Sequence, residues 1–177
     1  MNLQEEGLEK IALLKAEVYS SLHIPPFTPK THIAVTYGPS IIVLGKSYNK
    51  FLVKSMPIIE FYPHTKGYFT VFMVDPDAPN PAFVHLLFVN VEGEKGIKSS
   101  ISSRKSSSDM ENIVVPYMPP SPPSGVHRYI VLVSYQKNGK ISPGEVSHVS
   151  RVGVDVASFS DAHNLEGVGL FYFTVSA

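Results

Sequence analysis

The sequence predicts one mainly β domain with a helix at its start and a short helix near its end. Three observations carry this. The apolar residues fall in short runs rich in valine, isoleucine, phenylalanine and tyrosine. Fifteen prolines stand among the 177 residues, well above the usual ~5%, and proline ends strands and shapes turns. A clear three- to four-residue apolar spacing marks only the beginning of the chain.

Taken in order, Leu8, Ile11, Leu14 and Val18 recur at helical steps and predict a helix within residues 1–22, best defined over 3–19. HIPPFTPK (23–30) is a proline-rich connection that no helix should cross. HIAVTY (32–37) alternates as a half-buried strand, and IIVLG (41–45) follows the turn signal GPS. Ile58–Tyr62 and Tyr68–Val74 read as strands joined through the turn PHTKG. Val84–Val91 and Arg128–Gln136 are two more strong strands, and Asn138–Gly139 is a tight-turn dipeptide. SSISSRKSSSD (99–109) has little to bury and reads as a mobile serine-rich loop. Residues 154–164 predict a short helix capped by Asp155, and GLFYFTVSA ends the chain as a strand.

Length fits a single domain spanning 1–177 with enough chain for a real core. Lysine plus arginine equals aspartate plus glutamate, 15 each, which argues against an electrostatically driven nucleic-acid binder. No cysteine is present, so disulfide frameworks and thiolate metal sites are excluded. The N-terminus is charged and amphipathic, unlike a signal peptide, and no apolar run approaches the ~18 residues of a spanning helix. A soluble cytoplasmic protein without a transmembrane segment is the expectation.

The chemistry-bearing residues sit at strand ends. Asp75 and Asp77 leave one strand in DPDAP, and His85 begins the next. His127 and Tyr129 open a later strand and share a face, with Arg128 on the other. PPSPPSG (119–125) is a stiff loop whose few backbone N–H groups could hold an anion. From the residues alone, Asp-Pro turn chemistry, an anion pocket, acid–base machinery and an Asp/His metal site all stay open. Phosphate-loop, dinucleotide, HExxH and GxSxG motifs are absent.

In order along the chain, YFTVFMVDPDAPNP, VHLLFVNV and PSPPSGVHRYIVLVSYQ resemble the phosphatidylethanolamine-binding protein family, with weaker similarity in VASFSDAHNLEGVGLFYF. The resemblance covers nearly everything from about residue 31. It implies a β-sandwich with peripheral helices, lacking the helix that closes the pocket in animal members. It also implies a small pocket for the phosphate of a phospholipid head group or another phosphorylated ligand. The residues it points to are Asp75, Asp77, Pro79 (the motif's proline, after a cis peptide), His85, Ser121, Pro122, His127 and Tyr129, with Pro123 beside them. Asp75 is expected to accept from a histidine and so orient His85 toward the ligand. Ser121 replaces a usual glycine and Phe83 a frequent tryptophan.

The implied role is binding and regulation, with a kinase or protease as partner, no catalysis and no cofactor. The alternative is a phosphoester hydrolase or metalloprotein built on the same aspartates and histidines.

Overall fold

The computed structural model describes residues 3–79, 83–103 and 112–177, and side chains from residue 7 onward. Two sheets face each other. The larger has six strands: β3 (Ser47–Asn49), β10 (Leu165–Ser176), β9 (Val126–Gln136), β5 (Gly67–Asp75), β6 (Phe83–Gly93) and β8 (Ile113–Val115), in that order. The smaller runs β2 (Ser40–Ile41), β1 (Ile33–Tyr37), β4 (Ile58–Phe61) and β7 (Ser99–Ile101).

One core fills the space between the sheets, with Val35, Ile59 and Phe61 facing Phe69, Val71, Val131 and Phe173. A second core covers the outer face of the large sheet. There Phe72, Val74, Ile130 and Leu132 meet Leu13 of α1 (Leu3–Lys15), Val18 and Tyr19 of α2 (Val18–Ser21), Val146 of α3 (Pro143–Val146) and Phe159 of α4 (Val156–Ala162). This explains why β5, β6 and β9 are near-continuous apolar runs: both faces of their sheet are dry. In the smaller sheet, β1 keeps the alternation of a one-sided strand, as its sequence predicted.

Four expectations need correction. The N-terminal helix does not run unbroken: Glu17 takes a left-handed conformation (φ 53°) and splits it into α1 and α2. The Leu8–Ile11–Leu14 stripe faces solvent, at 67%, 49% and 45% exposure, and Leu13 is buried instead. A tertiary tie orients the helix, because Arg128 Nη1 donates to the Ala16 carbonyl at 2.7 Å. Of the 41–45 strand only Ile41 is in a strand, as the second residue of β2; beyond it Ile42 N–H bonds Val35 and Gly45 N–H bonds Tyr172. Finally, the start of the serine-rich segment is a strand, β7, paired with β4 through buried Ser99 and Ile101. Residues 104–109 of that segment lie outside the described residues. The short helix with its Asp155 cap is present: Asp155 Oδ1 accepts from Ser158 N–H at 2.9 Å.

Two irregularities interrupt the register of β6 with β5. Met73 pairs Leu86 while Val74 pairs Val84, so His85 is an extra residue with no partner on β5. Such a bulge re-aims a side chain. A second shift, beside Asn90 (φ 56°), is filled by a buried amide network. Gln136 Oε1 accepts from Thr70 Oγ1 and Asn90 N–H, and Gln136 Nε2 donates to Asn90 Oδ1 and the Gly139 carbonyl. Asn90 Nδ2 in turn donates to the Ile141 carbonyl, and Ile141 N–H to Asn90 Oδ1. The Asn138–Gly139 turn thus leads from β9 into α3, not directly into a neighbouring strand.

Candidate functional site

At the end of the large sheet, β5 delivers Asp75, β6 delivers His85 and β9 delivers His127 and Tyr129. Because β9 has its period-two alternation here, His127 and Tyr129 fall on one side. The bulge puts His85 on that same side, with its ring centroid 5.0 Å from that of Tyr129 in an edge-on arrangement. These three rings, Asp75 and the proline loop enclose a cavity of about 180 Å³, also lined by Pro79, Ser121, Pro122 and Pro123.

Asp75 is buried, with both carboxylate oxygens hydrogen-bonded. Its Oδ1 accepts the Asp77 N–H at 2.9 Å, the turn bond expected of an aspartate at this position. Its Oδ2 accepts from His127 Nδ1 at 2.8 Å. Turn chemistry and site chemistry therefore use the two oxygens of one carboxylate. The orientation expected for His85 is corrected: it is held not by Asp75 but by the Met118 carbonyl, 2.7 Å from Nδ1. Burial lowers the His85 pKa below the ordinary imidazole value, outweighing the opposing pull of the carbonyl and of Asp75.

Tyr129 is fully buried, stacks on Phe173 at 5.6 Å and has a hydroxyl with no hydrogen-bond partner among the described residues. Burial, and then the nearby Asp75 carboxylate, raise its pKa far above the phenolic range, so it is a donor and not a phenolate. A larger groove of about 490 Å³ lies between residues 23–28 and α4. Its Lys30 and Glu166 pair with each other, and Lys137 lies 3.9 Å from the same carboxylate.

The phosphatidylethanolamine-binding protein family model matches residues 25–171. The chain belongs to the phosphatidylethanolamine-binding protein family. It is 29% identical over 165 residues to the protein TWIN SISTER of FT of Arabidopsis thaliana, covering 82% of this chain and 87% of that one. It is likewise 29% identical over 149 residues to the carboxypeptidase Y inhibitor of Saccharomyces cerevisiae (strain ATCC 204508 / S288c), covering 67% and 68%. A crystal structure of carboxypeptidase Y inhibitor complexed with its cognate proteinase superposes with a TM-score of 0.75, at 23% identity, over 97% of this chain and 96% of that one. That likeness establishes the shared fold.

Within this family member, not every expected site residue reaches the cavity. Asp77 does not line it. Its carboxylate takes Arg128 N–H, Nε and Nη2 at 2.8, 2.9 and 2.6 Å. Those bonds from Arg128 hold its pKa below the usual carboxylate range and raise that of the guanidinium. Asp77 is thus a clamp between the DPDAP turn and β9. Pro79 does line the cavity, but the peptide before it is trans, as no described peptide is cis. The trans form is the commoner state of an X–Pro bond. Ser121 sits on the exposed rim, and Phe83 packs on the His85 ring at 5.0 Å.

Two contributors escaped the sequence reading. Met118 acts through its carbonyl, which side-chain chemistry does not advertise. Arg151 ties the segment just after β8 to β6, with Nη1 donating to the Val84 carbonyl and Nη2 to the Pro116 carbonyl, both at 2.8 Å. No spacing in the sequence links Arg151 to either partner. Among the described residues, no three His, Asp or Glu side chains group as a metal site, and no helix is long and apolar enough to cross a membrane.

Proposed function

We propose that the chain is a non-catalytic binding and regulatory protein whose pocket holds a phosphate-bearing ligand, such as a phospholipid head group or a phosphorylated small molecule. The observation that carries this is the convergence of two oriented imidazoles on a small cavity beside the proline loop, His85 held by the Met118 carbonyl and His127 by Asp75. The rigid proline loop keeps the cavity shaped before a ligand arrives.

The partner in this reading is a protease or kinase. Similarity to a carboxypeptidase Y inhibitor supports the protease class. The test titrates the protein with inorganic phosphate, phosphoethanolamine and phosphorylated amino acids, following the histidine side chains by NMR. Saturable shifts confined to His85 and His127 are expected. Silence from both rings with every ligand at millimolar concentration would sink the anion reading.

One observation favours a second reading, the phosphoester hydrolase. Asp75 orients His127 as a general base would be oriented, and Ser121 lines the same cavity. Turnover of a phosphoester that is lost in His127→Ala would establish it.

A further inference from the structure

The groove between residues 23–28 and α4 shares no lining residue with the pocket of His85 and His127. It is built on the outer face of the large sheet. Strand alternation puts Leu132 and Ser134 of β9 on that face, while Val131 and Val133 point into the core between the sheets. One wall is Ile24, Pro25, Pro26 and Phe27. The other is α4, where Ala157, Ser160 and Asp161 share one face at i, i+3 and i+4. The volume of about 490 Å³ lies within the ~300–1,000 Å³ of small-molecule sites.

Both walls are pinned. The Phe27 carbonyl accepts from Tyr19 Oη at 2.8 Å, and its ring packs edge-on to Tyr19. Gly167 on the floor makes room for that ring, since a Cβ there would overlap it. Lys30 N–H donates to the Val168 carbonyl at 2.7 Å, and two adjacent prolines stiffen the stretch before it. On the other side, the Asp155 cap fixes the start of α4, and Asp155 Oδ2 lies 3.5 Å from His23 Nδ1, which ties the walls together at one end. The groove is therefore shaped before anything enters it.

Inside, Ser134 is 1% exposed, and its hydroxyl makes no hydrogen bond among the described residues. The remaining polar groups stand at the rim. Lys30 and Lys137 share Glu166, and Asp161 adds a second carboxylate, so two positive charges meet two negative. Thr28 Oγ1 accepts from Lys10 Nζ at 3.2 Å, and Ser160 is only half-buried. A balanced rim rewards neither sign of ligand charge, and an ionised group set beside Leu132 would lose its water. We propose that the groove binds an uncharged, largely apolar small molecule carrying one hydrogen-bonding oxygen. The oxygen meets Ser134, whose hydroxyl can donate to a carbonyl or exchange a bond with an alcohol. The apolar body lies between Phe27 and α4, over Leu132.

The test titrates the whole chain at pH 7 with three probes of one chain length, 1-octanol, octanoate and octylammonium, read by amide NMR shifts and calorimetry. Octanol is expected to saturate at millimolar concentration or below, moving the amides of Phe27, Thr28, residues 157–161 and residues 165–167. It should bind at least about tenfold tighter than either ion, because each ion must shed water to enter. Ser134→Ala should weaken octanol about fivefold, the loss of one neutral hydrogen bond. It should not lower the urea midpoint, since the deleted hydroxyl has no partner to strand. Ala157→Phe fills the groove from the face of α4 that is turned away from the core, and should abolish saturation while the urea midpoint holds. Octanoate or octylammonium binding as tightly as octanol overturns the proposal. So does an octanol affinity unchanged by Ser134→Ala, or octanol shifts confined to the pocket of His85 and His127. Failure of octanol to saturate at millimolar concentration overturns it too, and leaves the phosphate reading of the other pocket untouched.

Discussion

His127 Nδ1 lies 2.8 Å from Asp75 Oδ2, so the DPDAP carboxylate orients the histidine of the GVHRY segment and not that of its own neighbouring strand. Asp75→Asn should therefore disturb His127 first. The His127 ring nitrogens are expected to change their NMR signature, while His85 keeps Nδ1–H on Met118. Losing a buried charge-assisted hydrogen bond should cost about 2 kcal/mol in urea unfolding. A variant in which His85 alone changes would contradict this arrangement.

Acid sensitivity should come in part from His85. Its folded pKa lies below the ordinary 6.5. The unfolded chain thus binds the proton more readily, so stability is full above about pH 6.5 and falls as pH drops through that value. Urea midpoints at pH 7 and pH 5 should differ less in His85→Gln than in the native protein. An identical pH response in the two would rule this source out.

Asp77 has the opposite sign. Arg128 depresses its pKa, so the pair contributes above the unfolded carboxylate value and is lost as pH falls through the lowered folded value. The side chains are 27% and 23% exposed, which screens the pair. Asp77→Asn should cost about 1 kcal/mol, less at high salt, with a smaller effect on phosphate affinity than Asp75→Asn. Equal losses of affinity would mean that Asp77 acts at the ligand.

Gln136→Leu tests the buried amide network. It leaves the Asn90 N–H, Thr70 Oγ1 and one lone pair of Asn90 Oδ1 unpaired where no water replaces Gln136. A loss of about 3 kcal/mol in urea or thermal unfolding is expected, since each orphaned group costs roughly 1–3 kcal/mol. A neutral result would show that the second β6 irregularity does not need the network.

Much of the fold was legible because burial on both faces writes itself as continuous apolar runs, and YFTVFMV and RYIVLVSYQ do so without ambiguity. Asp155 was legible as a cap because its chemistry is local. The outward stripe of α1 was misread for the converse reason. Leu8, Ile11 and Leu14 have helical spacing, but the buried face is chosen by Leu13 and by the Arg128 bond to Ala16, which joins residues 112 positions apart. β3, β7 and β8 escaped notice because three-residue strands carry too few alternations to register as a period.

The pocket divides the same way. By itself, the sequence determined which groups are available: DPDAP, the histidine strand and PPSPPSGVHRY fix their chemical types and, by strand alternation, the shared side of His127 and Tyr129. Only the tertiary structure decided how they are used. It sent Asp75 to His127, Asp77 to Arg128 and His85 to the Met118 carbonyl, and through a one-residue bulge it turned His85 toward Tyr129. Hydrogen bonds to distant backbone and single-residue register shifts leave no periodic trace in a chain, and those are the interactions that orient each ring.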